Sequence, residues 1–119
     1  MISGIMFDGI QLNQDRISNA VLIPHNDFER ISFQNIISGS ADGLLFVQVS
    51  NDLTNDSTLV SNWIDYPDSS TNILGVTQLL INMKDLSFKW IRLSYIHNSG
   101  NGFIDGTYVV VRRYHRWVQ

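Results

Sequence analysis

The sequence predicts an all-β protein, an antiparallel sandwich or barrel of about eight short strands. Three observations carry that prediction. Apolar and polar residues alternate with period two through Phe28–Ile37 and again through Phe88–Ile96. Turn-forming pairs such as Asp42-Gly43 and Asn101-Gly102 punctuate the chain at regular spacing. Straight-chain charged residues, which favour helices, are scarce: there is one glutamate, Glu29, and two lysines, Lys84 and Lys89.

The stretch Gly43–Asp52 reads as the central strand, buried at its apolar start and emerging through Gln48 and Ser50 into Asn51-Asp52. Before it, Phe28–Ile37 places Ile31, Phe33 and Ile37 on one face, and Arg30, Ser32, Gln34 and Ile36 on the other. The connection Ser38–Gly43 is rich in turn residues, so these two strands are expected to pair as a hairpin. Ile17–Ile23, Val60–Tyr66, Val76–Met83, Phe88–Ile96 and Thr107–Arg113 supply the other strands. Asn98–Gly102, with its Asn-Gly pair, is expected to close a second hairpin. Residues 1–15 form an N-terminal arm or edge hairpin whose Ile5, Phe7, Ile10 and Leu12 are too apolar for a free tail. They either complete a sheet edge or lie against another subunit. Residues 16–114 make the sandwich, and 115–119 a C-terminal tail.

With 119 residues the chain fits one domain and can bury a core unaided. Its net charge of −3 implies no general affinity for nucleic acid, and no apolar run approaches a membrane span. The absence of cysteine excludes disulfides, thiol catalysis and thiolate-bound zinc. Met1–Ile5 has no basic region followed by an apolar core, so synthesis and folding in a cytoplasm are expected.

Two sets of residues resemble known families. Gln48-Val49-Ser50-Asn51-Asp52, Trp63-Ile64-Asp65-Tyr66 and Trp90-Ile91-Arg92-Leu93 resemble the successive strand motifs of the galactose-binding-like (discoidin) β-sandwich, with Trp90 where that family usually has tyrosine. The resemblance implies a jelly-roll sandwich and, as one function, a carbohydrate-binding module. The same motif order, followed by Ser99-Gly100-Asn101-Gly102, is similar to small structural proteins of tailed bacteriophages. That likeness implies a non-enzymatic virion component, a capsid decoration, head fibre or tail-associated protein. It would be assembled in the host cytoplasm and docked on other virion proteins as a homo-oligomer, a trimer.

Motifs for chemistry are sparse. His25, His97 and His115 lie in three separate segments without metal-ligand spacing, and no serine sits in a nucleophile elbow. The sequence therefore points to no catalytic residue, metal or cofactor. Asn51–Ser57 offers oxygen ligands but fails the EF-hand pattern and reads first as a loop of Asx-turns. For a glycan, the candidate residues are Asp52, Asn55, Trp63, Tyr66 and Arg92. Aromatic faces stack on sugars, and an arginine fork clamps a carboxylate or phosphate. The plainer reading puts the aromatics in the core and pairs Arg92 with Asp65 or Asp85. For a protein partner, the candidates are Arg112, Arg113, Tyr114, Arg116 and Trp117, residue types that dominate interfaces. The alternative is an edge strand whose arginines deter aggregation.

Overall fold

A computed structural model describes residues 2–23, 28–84 and 86–112, and within them every regular element is a strand. The strands are β1 (Ile2–Gln11), β2 (Arg16–Ile17), β3 (Val21–Leu22), β4 (Phe28–Gly39) and β5 (Asp42–Ser50). They continue with β6 (Ile64–Asp65), β7 (Thr71–Asn72), β8 (Gln78–Lys84), β9 (Trp90–Ser99) and β10 (Gly102–Arg112). Two antiparallel sheets result. One has the order β1-β10-β4-β8; in the other, β9 and β5 lie side by side. Both β2 and β3 pair with β9, while β6 and β7 both pair with β5. Each of these short pairs is one interrupted edge strand, so ten segments fill eight positions, four in each sheet.

The order is that of a jelly roll: the first position pairs with the last, the second with the one before the last, and so inward. Residues 2–11 thus complete a sheet edge. Ile2 lies opposite Val110 and Gln11 opposite Phe103, while Met6, Phe7 and Leu12 are buried. The molecule is elongated, about 56 × 30 × 24 Å.

Alternation explains the packing. In β4, Ile31, Phe33 and Ile37 point between the sheets and are buried, as the sequence indicates. Across from them, β10 contributes Ile104 and Val110. The second sheet supplies Leu45 and Val47 of β5, in register with Tyr95 and Leu93 of β9. Each such buried aliphatic side chain stabilises the fold by roughly 1.5–3 kcal/mol. Asn35 breaks the apolar pattern. It is fully buried, its amide donates to the Leu79 carbonyl at 3.3 Å, and its Oδ1 has no partner among the described residues. Gly106 makes room for it, since a Cβ there would stand 2.8 Å from Asn35 Oδ1.

Both expected hairpins are corrected by the structure. β4 and β5 do not pair with each other, and neither do β9 and β10. Instead β4 pairs with β10 in the first sheet and β5 with β9 in the second. The two chains therefore run as one long ribbon that bends from sheet to sheet. At the bend Gly39 lies opposite Gly102, Asp42 opposite Ser99, and the Ser40 amide donates to the Asn101 carbonyl at 2.8 Å. Gly39 and Gly100 have φ of 89° and 76°, open to glycine at little cost, and the crossing backbones touch there. A hairpin and a corner use the same turn residues; which one forms depends on which faces must be buried.

Two strand expectations also change. Val60–Trp63 belongs to a loop, and only Ile64–Asp65 of the expected Val60–Tyr66 strand pairs. Ile17–Ile23 is interrupted at Ser18–Ala20, where the Ser18 hydroxyl accepts the Leu93 amide in place of a ladder bond.

Candidate functional site

The outer face of the β9–β5 sheet carries the densest group of the residues singled out from sequence. Because Ile91 and Leu93 point inward, Arg92 must point out, opposite Gln48 of β5. Its Nε donates to Gln48 Oε1 at 2.9 Å, and Gln48 Nε2 in turn donates to Asp65 Oδ1 at 2.8 Å. The glutamine thus stands between the arginine and its expected carboxylate. Arg92 forms no ion pair among the described residues; Asp85, the other expected partner, lies outside them. The guanidinium lies 4.2 Å from the centre of the Trp63 ring, a cation–π contact. Partial burial lowers its pKa, and an arginine so shifted stays protonated.

Trp63 reaches this position because the loop 51–63 folds across the sheet face and is braced from within. Asp52 Oδ1 accepts the Thr54 amide at 2.9 Å, while Oδ2 accepts the Ser61 amide at 3.0 Å and the Ser61 hydroxyl at 2.6 Å. Asp56 Oδ1 accepts both the amide and the hydroxyl of Thr58, at 2.9 and 2.7 Å. The Ser61 hydroxyl, then the amides of Thr54 and Ser61, hold the Asp52 carboxyl below its ordinary value. The Thr58 hydroxyl does the same for Asp56. Trp90 Nε1 donates to the Thr54 carbonyl at 3.1 Å and Lys89 Nζ to the Leu53 carbonyl at 2.8 Å, tying the loop to the start of β9. Asn62, at φ 57°, turns the chain so that Trp63 faces back to the sheet. These are the Asx-turns read from the sequence, with both oxygens of Asp52 and Oδ1 of Asp56 taken by N–H and O–H donors. Among the described residues no group of three or more His, Asp or Glu side chains is placed to hold a metal ion.

The loop leaves a cavity of about 320 Å³ against the sheet. Arg92 and Trp63 form one wall, Ile17 and Ala20 another, and Ser57 and Thr58 the rim. A second hollow of about 330 Å³ has an apolar floor of Leu44, Phe46 and Ile96, with Asp65 and Asp68 at its edge.

The structure therefore brings Trp63 and Arg92 together and uses Asp52 as a brace. Asn55 is exposed on the same loop. Tyr66 turns away, edge-on to Phe88 with ring centres 6.1 Å apart, and Trp90 is buried. Among the partner candidates, Arg112 ends β10 with its backbone opposite Phe28, while Arg113, Tyr114, Arg116 and Trp117 lie outside the described residues.

Sequence reasoning missed a second surface. On the outer face of the β1-β10-β4-β8 sheet, Ile5, Thr107, Gln34 and Leu80 form one row across the four strands. Ile5 and Leu80 are 53% and 60% exposed, and Ile36 and Phe103 of the same face are 43% and 49% exposed. The signal was present in Ile36, an isoleucine on the polar side of the β4 alternation.

No protein-family model matches this sequence, and no curated protein matches it. The fold defines a jelly-roll β-sandwich, and it is shared with a solved structure. The chain is similar to SPBc2 prophage-derived protein YomS over 90% of each chain, with a TM-score of 0.54 and 11% sequence identity. No helix among the described residues is long and apolar enough to cross a membrane.

Proposed function

We propose that this protein is a non-enzymatic structural component of a bacteriophage particle, a jelly roll that docks on other virion proteins and on copies of itself. The observation that carries this reading is the likeness to a prophage-derived protein, which extends over nine-tenths of both chains. Jelly rolls recur in viral capsid and lectin domains, which agrees with it as an analogy of fold. The docking surface in this reading is the sheet face bearing Ile5, Ile36, Leu80 and Phe103, whose strand backbones hold these side chains in fixed register. Neighbouring copies on a lattice, as trimers or another closed symmetry, add weak contacts at high effective concentration. The test is sedimentation of the purified protein alone and with empty capsids or tails. Self-association and co-sedimentation support the reading; a monomer that never co-sediments overturns it.

A second reading is favoured by the Trp63–Arg92 cavity: a carbohydrate-binding module using the outer face of the other sheet. A glycan array discriminates, with Trp63→Ala as the control. Binding that this variant loses supports a module, and no binding at millimolar sugar removes it.

A further inference from the structure

We infer that the cavity beside Arg92 receives a saccharide carrying a carboxylate or phosphate group, an inference that rests on the carbohydrate-binding reading and gives its ligand a charge. The Arg92 guanidinium is held from two directions. Its Nε is taken by Gln48 at 2.9 Å, and one of its faces lies over Trp63 at 4.2 Å. The two terminal amino groups donate to no protein acceptor among the described residues, although the side chain is half-buried. The fork is thereby held in one orientation, with the donors that match an oxyanion still available.

The surroundings select for charge and size. Asp65 is hydrogen-bonded by Gln48, Asp52 by Thr54 and Ser61, and Asp56 by Thr58, and none of these carboxylates makes an ion pair with Arg92. The cavity's 320 Å³ is at the low end of the roughly 300–1,000 Å³ typical of small-molecule sites, a fit for one sugar unit and not for an extended chain. Ile17, Ala20 and Val60 offer apolar walls to a ring face, while Ser57 offers a hydroxyl to its edge and Thr58, whose hydroxyl proton goes to Asp56, offers an acceptor oxygen. An oxyanion on the ring would lie against the fork, its charge opposed by a partly desolvated cation and strengthened by the lowered dielectric.

The test is titration of the full chain with glucuronate, glucose 6-phosphate, neutral glucose, acetate and inorganic phosphate, read by Trp63-sensitive fluorescence and by calorimetry. The expected result is dissociation constants on the order of 1 mM for one or both sugar anions, with neutral glucose and the bare anions at least about tenfold weaker. A preference for glucuronate assigns a carboxylate, and one for glucose 6-phosphate a phosphate. Arg92→Gln, which retains an amide opposite Gln48, is expected to weaken the anions about tenfold or more, and Arg92→Lys to restore part of that loss. Equal binding of neutral glucose, unchanged in Arg92→Gln, would leave the carbohydrate reading in place and overturn this one. Binding of acetate or inorganic phosphate as tightly as the sugar anions overturns it too. No binding by any saccharide removes both.

Discussion

Gly39 of β4 lies opposite Gly102 of β10 at the point where the paired chains leave one sheet for the other. A side chain at Gly39 would place its Cβ 2.6 Å from the Asn101 carbonyl, and one at Gly100 would drive into the Ser40 carbonyl. Gly75 supplies a control, with φ 75° against 76° at Gly100 but no atom within 4 Å of its missing Cβ. Gly75→Ala should therefore cost only the left-handed backbone penalty, about 1 kcal/mol. Gly100→Ala should cost about 3 kcal/mol or more, because two backbones must part. Urea unfolding of the two variants measures the difference, and equal losses would show that the corner does not require glycine.

The face with Ile5, Ile36, Leu80 and Phe103 should separate docking from folding. Leu80 is 60% exposed, so Leu80→Glu should change stability by no more than about 0.5 kcal/mol. The same change, paired with Ile36→Lys, should abolish co-sedimentation with phage particles if that face docks. Retained binding would move the contact elsewhere on the molecule.

The loop 51–63 should loosen in acid. Hydrogen bonds hold the folded Asp52 and Asp56 carboxyls below their ordinary value, so their contribution is present above the unfolded value, about 4, and is lost as pH falls from there through the lower folded values. Trp63 emission should shift red over the same interval, since the loop holds the ring on Arg92. Asp52→Ala should give the loosened state at neutral pH, detected as faster amide exchange at Thr54 and Ser61.

Tyr95 should govern the alkaline limit. Its hydroxyl lies 2.9 Å from His97 Nδ1 and 3.3 Å from the Asp42 carbonyl, within a side chain 1% exposed. Burial, then the charges of Asp42 and Asp15, raise its pKa. A raised folded value means that stability is intact below the unfolded tyrosine value, about 10, and is lost as pH climbs beyond it. Tyr95→Phe should flatten that decline while costing about 1 kcal/mol at neutral pH through lost hydrogen bonding. An alkaline profile identical to that of the unaltered protein would rule Tyr95 out as its cause.

Asn35 offers a test opposite in sign to that at Asp52 and Asp56. Asn35→Asp places a carboxyl at a fully buried site whose only side-chain hydrogen bond among the described residues is to a carbonyl oxygen. Its pKa should rise, leaving the variant about 3 kcal/mol less stable at pH 7 and recovering toward pH 4 as the carboxyl protonates. Denaturant midpoints across that range check it; a pH-independent loss would mean the site admits water.

Much of the fold was legible because alternation reports which face of a strand is buried. Ile31, Phe33 and Ile37 were assigned to the core from period alone, and all three are there. The partners of those strands were not legible. Gly39–Gly43 and Asn98–Gly102 carry the composition of a hairpin turn, and only the burial of both flanking strands in different layers makes them corners. The site was legible in part: Arg92 had to face away from Ile91 and Leu93, but the sequence paired it with Asp65 or Asp85 and gave no sign of its contact with Trp63. The interposed Gln48 was not, because its role depends on the β5–β9 register, which joins residues more than forty positions apart. Tyr66 had the same composition signal as Trp63 and went to Phe88 instead.

Among the described residues β1 pairs only with β10 in its sheet, so residues 2–11 have no strand to rest against until residues 102–112 exist. On the ribosome, β1 must therefore wait unpaired, its Met6, Phe7 and Leu12 open to chaperones, while β2 to β9 are synthesised. Closure of this sheet edge should be timed by the emergence of β10, and a stalled nascent chain lacking β10 should be cut by protease within residues 2–11.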